Sequence, residues 1–78
     1  MTVFERLQDA IATTLRVSTG DIAATSRDED IAAWDSLGHV NVMMTLEQTF
    51  DVVLDVEDFP KLTSIPAIME YLKGQGIE

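Results

Sequence analysis

The chain has 78 residues, of which 14 are Asp or Glu and five are Lys or Arg, giving a formal net charge of −9 at pH 7. A chain of this length forms one small domain, so we expect a single domain over residues 1–78 and no active site between two domains. The absence of cysteine excludes disulfide bonds, thiolate metal sites and a thiol nucleophile.

The acidic residues concentrate in the middle of the chain. Ten of them lie between Gly20 and Pro60, where Arg27 is the only base. This charge disfavours nucleic acid and anionic membranes as partners and favours a basic protein surface. The sequence contains no apolar run long enough to span a bilayer, and we expect no signal peptide, because acids stand near the N-terminus where a signal peptide would have its apolar core. We therefore expect a cytoplasmic protein.

The first element is an amphipathic helix predicted over residues 3–16. Its apolar residues recur at the helical period, at Phe4, Leu7, Ile11 and Leu15. Thr2 and Glu5 have the spacing of a capping box at its start. A long loop follows over residues 17–34, where the helical period is lost. Three apolar residues should pin this loop to the core, namely Ile22, Ile31 and Trp34.

The second helix is predicted over residues 36–50 with Asp35 as its N-cap. It carries a wide apolar stripe, formed by Leu37, Val40, Met43, Met44, Leu46 and Phe50. Val40 and Met44 lie to one side of the line through Met43, Leu46 and Phe50. The pattern alone leaves open whether these two side chains belong to the core or to an adaptable binding surface.

The rest of the chain completes an all-helical fold. Residues 51–56 should be extended, with Val53 or Leu54 turned inward, because a lone strand has no partner. A short helical turn is predicted at residues 57–62 and a last helix at 65–73, with Ser64 as its N-cap and Pro66 in its first turn.

Catalysis and metal binding find little support in the sequence. His39 lies three residues after Ser36, but no residue in the pattern fixes its tautomer, and we expect a surface histidine with no catalytic role. Calcium-loop frames that start at Asp28 or Asp51 lack the required Gly and Glu. The run from Asp28 to Asp30 is therefore interpreted as a solvated loop, with no metal site.

The tripeptide Asp35-Ser36-Leu37 is a weak signal by itself, since Ser36 could serve as an alternative N-cap, but its position at the start of the long central helix adds weight to it. If Asp35 caps the helix, the Ser36 hydroxyl points outward at a helix N-terminus. Free backbone N–H groups and the helix dipole favour a phosphate at that position.

On these residues the chain resembles the acyl carrier proteins and the related peptidyl carriers. The resemblance covers nearly the whole sequence, through Asp35-Ser36-Leu37, the run from Val40 to Phe50 that ends Leu46-Glu47-Gln48-Thr49-Phe50-Asp51, and Thr63-Ser64-Ile65. It implies a small four-helix bundle with a long loop between helices one and two. It also implies that Ser36 carries 4′-phosphopantetheine, transferred from coenzyme A by a phosphopantetheinyl transferase, and that the protein is a carrier of thioesters and no enzyme.

The resemblance further implies how partners bind. Partners of this family dock on the second helix through basic patches around apolar contacts. The corresponding residues here are Leu37, Val40 and Met44 with the acidic residues Asp35, Glu47, Asp51, Asp55 and Glu57. We expect a monomeric carrier whose partners are the transferase, an adenylate-forming acyl or aminoacyl ligase, and synthase or transferase enzymes.

Some positions depart from the family pattern. Carriers of primary fatty acid biosynthesis usually place acids along the second helix, where this chain has Gly38, His39, Asn41 and Gln48, and a small residue at the position of Trp34. We therefore expect a specialised, stand-alone carrier of secondary metabolism, loaded with an acyl or aminoacyl group. The alternative function is a small acidic helical adaptor or inhibitor without a covalent cofactor.

Overall fold

The computed structural model describes residues 1–77. Four helices of these residues form one bundle, and two short 3₁₀ turns, Thr19–Asp21 and Asp28–Asp30, lie in the loop between the first two helices. Helix α1 spans Val3–Leu15, α2 spans Ser36–Phe50, a 3₁₀ helix spans Val56–Lys61, and α3 spans Ile65–Gly74. A loop of 20 residues, 16–35, joins α1 to α2. The predicted all-helical fold with a long first loop is confirmed. In the described residues, no helix has both the length and the apolar character needed to cross a bilayer.

Local capping explains where α1 begins and ends. The Glu5 backbone N–H donates to Thr2 Oγ1 at 3.1 Å, and the Thr2 backbone N–H donates to Glu5 Oε1 at 3.0 Å. This reciprocal pair is the predicted capping box. The helix ends one residue earlier than predicted, because Arg16 adopts a left-handed conformation with φ of 58°.

The core is built from one apolar face of each α-helix and from the loops between them. Helices α1 and α2 make the most extensive contact between any two elements of the described chain. The fully buried residues include Leu7, Ile11, Val42, Met43, Leu46, Ile65, Ile68 and Leu72. These residues form one continuous cluster, which excludes water from the centre of the bundle.

The long loop is tied to the bundle at both predicted and unpredicted points. Ile22, Ile31 and Trp34 are all buried, as the sequence predicts. Two backbone hydrogen bonds also join the loop to the start of α3. The Asp28 N–H donates to the Thr63 carbonyl at 2.9 Å, and the Ile65 N–H donates to the Ser26 carbonyl at 2.8 Å.

Helix α2 has the predicted bounds, and its wide apolar stripe divides into two parts. Met43, Leu46 and Phe50 are buried, whereas Val40 and Met44 remain 42% and 51% exposed. The question left open by the pattern is thus resolved in favour of exposure. At the other end of the helix, Arg6 donates from Nη2 to the Thr49 carbonyl at 3.0 Å, satisfying one of the terminal acceptors.

The connection from α2 to α3 differs in detail from the prediction. Leu54 is buried, and Val53 is exposed. The short helix begins at Val56, one residue early, and is a 3₁₀ helix. Pro60 therefore lies in its last turn, although the sequence placed it in the first. Helix α3 begins as predicted, with the Ala67 N–H donating to Ser64 Oγ at 3.1 Å, and it extends one residue further to Gly74.

Candidate functional site

Ser36 occupies the first position of α2, directly after its N-cap. The Gly38 N–H donates to Asp35 Oδ1 at 2.8 Å, and the His39 N–H donates to the Asp35 carbonyl at 2.7 Å. Because Asp35 provides the cap, the Ser36 hydroxyl is not used for this purpose. The Ser36 side chain is exposed and makes no hydrogen bond with any other group in residues 1–77.

The electrostatic setting of Ser36 suits an attached anion. The backbone N–H groups of Ser36 and Leu37 have no acceptor in the described chain, because α2 starts there. These groups carry the positive end of the helix dipole. A phosphate bonded to Ser36 Oγ would lie beside them, so the predicted geometry at this helix start is present.

His39 is not the free surface histidine that the sequence predicts. It is half-buried, and both ring nitrogens form hydrogen bonds within the protein. Trp34 Nε1 donates to Nδ1 at 2.9 Å, and Nε2 lies 2.6 Å from the Phe59 carbonyl oxygen. These contacts fix the tautomer that the sequence left undetermined. They also leave no ring nitrogen free to activate Ser36.

An exposed apolar strip runs along α2 from Ser36. Leu37 is 72% exposed, and Val40 and Met44 follow it on the same side of the helix. In the segment that follows α2, Val53 and Val56 are even more exposed than Leu37. The sequence pattern did not predict that these two valines lie on the surface. The alternation of Val53 with the buried Leu54 is the signal that could have identified the first of them.

The acidic residues assigned to the rim fall into two groups. Asp35, Asp51, Asp55 and Glu57 are exposed. Glu47 is half-buried and accepts a hydrogen bond from the Leu54 N–H at 3.0 Å, which holds the connection after α2. Within residues 1–77, Arg27 and Glu29 form an ion pair on the surface, and no other ion pair occurs. The five carboxylates of the rim therefore have no cationic partner in this part of the chain.

Tyr71 of α3 lies close enough to several acidic residues for their charge to affect its pKa. Its hydroxyl donates to the Val53 carbonyl at 3.3 Å. Burial raises the pKa of Tyr71, and the negative charges of Asp58, Asp55 and Glu47 raise it further. Glu47 of α2 and the acids of the segment after it therefore act together on one region, as expected for a surface that attracts cations.

No grouping of three or more potential metal ligands occurs within residues 1–77. The run from Asp28 to Asp30 forms a short 3₁₀ turn, in which Glu29 and Asp30 are exposed. Asp30 accepts a hydrogen bond from the Arg27 N–H at 3.0 Å. These carboxylates thus belong to the turn itself, in keeping with the solvated loop that the sequence predicts.

Comparisons with known proteins identify the family. Residues 5–72 match the family model described as "Phosphopantetheine attachment site". The chain is also 34% identical to an acyl carrier protein of Clostridium acetobutylicum over 76 residues, which cover 97% of this chain and 99% of that protein. Members of this family are non-catalytic carriers that work with a phosphopantetheinyl transferase and with pathway enzymes. The chain belongs to the acyl carrier protein family and is a carrier protein with a phosphopantetheine attachment site.

Proposed function

We propose that Ser36 is the residue that carries the phosphopantetheine group. The observation that supports this choice is the state of the four serine hydroxyls. Ser18, Ser26 and Ser64 each accept a hydrogen bond from a nearby backbone N–H, from Gly20, Ala23 and Ala67 respectively. Ser36 is exposed at the start of α2, and its hydroxyl is not engaged by the described chain.

The protein groups around Ser36 fit such an attachment. Asp35 caps the helix, so that Ser36 Oγ is free to form a phosphodiester, and the N–H groups of Ser36 and Leu37 favour its negative charge. When attached, the group supplies the thiol on which an acyl or aminoacyl chain is held as a thioester. The chain itself contains no cysteine that would compete with that thiol.

The surface beside Ser36 supports a defined mode of docking. The docking surface consists of the apolar residues Leu37, Val40 and Met44 and the acidic residues Asp35, Glu47, Asp51, Asp55 and Glu57. Basic patches on a partner would be steered by the unpaired carboxylates, while apolar contacts would slow dissociation. The partners are the transferase, an adenylate-forming acyl or aminoacyl ligase, and acyl-processing synthases or transferases.

The neutral side chains near Ser36 support a specialised role. None of Gly38, His39 and Asn41 in the first turns of α2 is acidic, so the next acidic residue after Asp35 is Glu47. A ligase or synthase for this carrier would therefore place its basic residues toward the C-terminal half of α2 and the segment after it. A monomeric state and a cytoplasmic location stay predictions from the sequence.

Intact mass spectrometry tests the assignment of Ser36. Incubation with coenzyme A and a broad-specificity phosphopantetheinyl transferase should add one phosphopantetheine to the wild type and to Ser18→Ala. Ser36→Ala should gain none and should keep its helical circular dichroism spectrum. Modification of Ser36→Ala would contradict the assignment. A wild type that is never modified would favour the acidic adaptor or inhibitor without a covalent cofactor.

A further inference from the structure

His39 joins three segments of the chain: the end of the long loop, α2 and the 3₁₀ helix. Its ring lies on α2, accepts a hydrogen bond from Trp34 in the loop before Ser36, and contacts the backbone of Phe59 in the 3₁₀ helix. The planes of the Trp34 and His39 rings are inclined by 29°, and the Phe59 ring meets the His39 ring edge-on at 85°. We call this arrangement the Trp34–His39–Phe59 bridge.

The chemistry of the bridge allows one arrangement of protons. The indole Nε1–H of Trp34 is a donor only, so His39 Nδ1 must be the unprotonated acceptor. The imidazole proton is then on Nε2 and is donated to the Phe59 carbonyl. Trp34 is 3% exposed, so losing this acceptor would leave its indole N–H buried without a partner.

The 3₁₀ helix depends on few other contacts for its position. None of its six residues is fully buried, and its ends are held by the buried neighbours Leu54 and Leu62. Between these two points, Phe59 packs partly against the core, and His39 provides a hydrogen bond to the backbone. The packing of Phe59 and the bond from His39 together hold the middle of the 3₁₀ helix, and the bond is the part that links its backbone to the side chain of an α2 residue.

Both elements that His39 connects, α2 and the 3₁₀ helix, carry exposed residues that a partner could contact. The α2 side presents Leu37, Val40 and Met44, and the 3₁₀ helix presents Val56, 80% exposed, and Glu57. A partner that contacts both sides needs them at a fixed separation. If the 3₁₀ helix moves freely, the partner must order it on binding, which weakens the complex.

We propose that His39 is a positioning residue for partner docking. In its Nε2–H form it holds the 3₁₀ helix against α2, so that Glu57 and the neighbouring Val56 keep a fixed position relative to the α2 residues of the docking surface. This inference rests on the docking surface and on the Ser36 attachment site proposed above. In this inference, His39 contributes to docking without contacting the partner or the attached group.

Three substitutions of His39 separate its two hydrogen bonds. In His39→Gln, the amide nitrogen reaches about as far as Nε2 and retains the donor to Phe59. In His39→Asn, the amide ends near the position of Nδ1, so it retains an acceptor for Trp34 and loses the link to the 3₁₀ helix. His39→Leu retains neither bond.

The kinetics of modification by the transferase provide the main readout. His39→Leu and His39→Asn should raise the KM for the carrier by about two- to tenfold, the range expected for the loss of one hydrogen bond. Their kcat should be unchanged, because Ser36 and its cap remain in place. His39→Gln should keep a KM close to that of the wild type. Rescue by Asn rather than by Gln, or equal KM values for all three variants and the wild type, would overturn the inference.

Two further measurements keep the test independent of folding. The ¹⁵N NMR spectrum of the His39 ring in the wild type should show the proton on Nε2, and a proton on Nδ1 would contradict the bridge. Amide hydrogen exchange in the 3₁₀ helix should be faster in His39→Asn than in His39→Gln. Lower thermal stability of the variants with no change in KM would mean a structural role alone. A wild type that the transferase does not modify would instead contradict the proposed function.

Discussion

Gly38 packs against the carbonyl of Ala33 so closely that a side chain at position 38 would overlap this oxygen. A β-carbon there would also meet Leu15 Cδ2 at 3.0 Å and Asp35 Oδ1 at 3.2 Å. The missing side chain thus lets the end of the long loop lie on the first turn of α2. This contact places the loop beside Ser36, where a partner must approach.

Replacing Gly38 with alanine should destabilise the protein, although alanine is the better helix former. The gain in helix propensity is up to about 1 kcal/mol, whereas forcing a methyl group into a packed site typically costs about 1 to 3 kcal/mol. Urea denaturation should show a net loss, because the obstructing atom belongs to the backbone. The matched control is Gly74→Ala, since a β-carbon at Gly74 meets no atom within 4 Å. A Gly38→Ala protein as stable as Gly74→Ala would show that the loop moves away at no cost.

Trp34 should contribute a large part of the stability of this small domain. The side chain is buried in the core cluster, and truncation of a buried aromatic residue to alanine typically costs about 3 to 5 kcal/mol. The free energy of unfolding of Trp34→Ala should fall accordingly in urea. Leu37→Ala is the control, because Leu37 is mostly exposed and should change stability by no more than about 0.5 kcal/mol. Similar stabilities for the two variants would show that Trp34 does not hold the loop.

Glu5 should make the start of α1 sensitive to acid. Hydrogen bonds from the Thr2 backbone N–H and then from the Thr2 side chain lower the pKa of Glu5 below the ordinary value of 4.5. A lowered folded-state pKa means that the carboxylate stabilises the fold above the unfolded value. This contribution is lost as the pH falls from 4.5 through the folded-state value. Glu5→Gln should therefore be less stable than the wild type at pH 7, and this difference should shrink below pH 4.5. A difference that stays constant from neutral to acidic pH would contradict the prediction.

The parts of the fold that depend on neighbouring residues were predictable. The capping box of Thr2 with Glu5, the cap of α2 by Asp35 and the cap of α3 by Ser64 each join residues three apart in the sequence. The helical period of α2 likewise placed Met43, Leu46 and Phe50 on one line, and all three are buried, although it left the burial of Val40 and Met44 open. Local patterns of this kind contain all the information that their structure requires.

The contacts of Gly38 and His39, two and three residues from Ser36, were harder to predict from the sequence. The bond from His39 to the Phe59 carbonyl joins residues 20 apart, and it forms only after the 3₁₀ helix has packed beside α2. The burial of Gly38 depends in the same way on the path of the loop. A lone histidine and a glycine in a helix show no periodicity, so their roles follow from tertiary structure alone.

The exposed apolar residues of α2 can be separated from the core by charge substitution. Val40→Asp and Met44→Asp place a carboxylate on side chains that are 42% and 51% exposed, so each variant should keep its fold. Leu46→Asp puts an unpaired charge at a fully buried position, where the penalty approaches the 5 to 15 kcal/mol of stability that a typical domain has, so this variant should unfold. Thermal melts distinguish these outcomes.

The two folded variants, Val40→Asp and Met44→Asp, should nevertheless show a raised KM with the transferase or ligase, because an apolar contact has been replaced by a solvated charge. If either variant melts as Leu46→Asp does, its side chain supports the core; if both bind as tightly as the wild type, partners dock elsewhere.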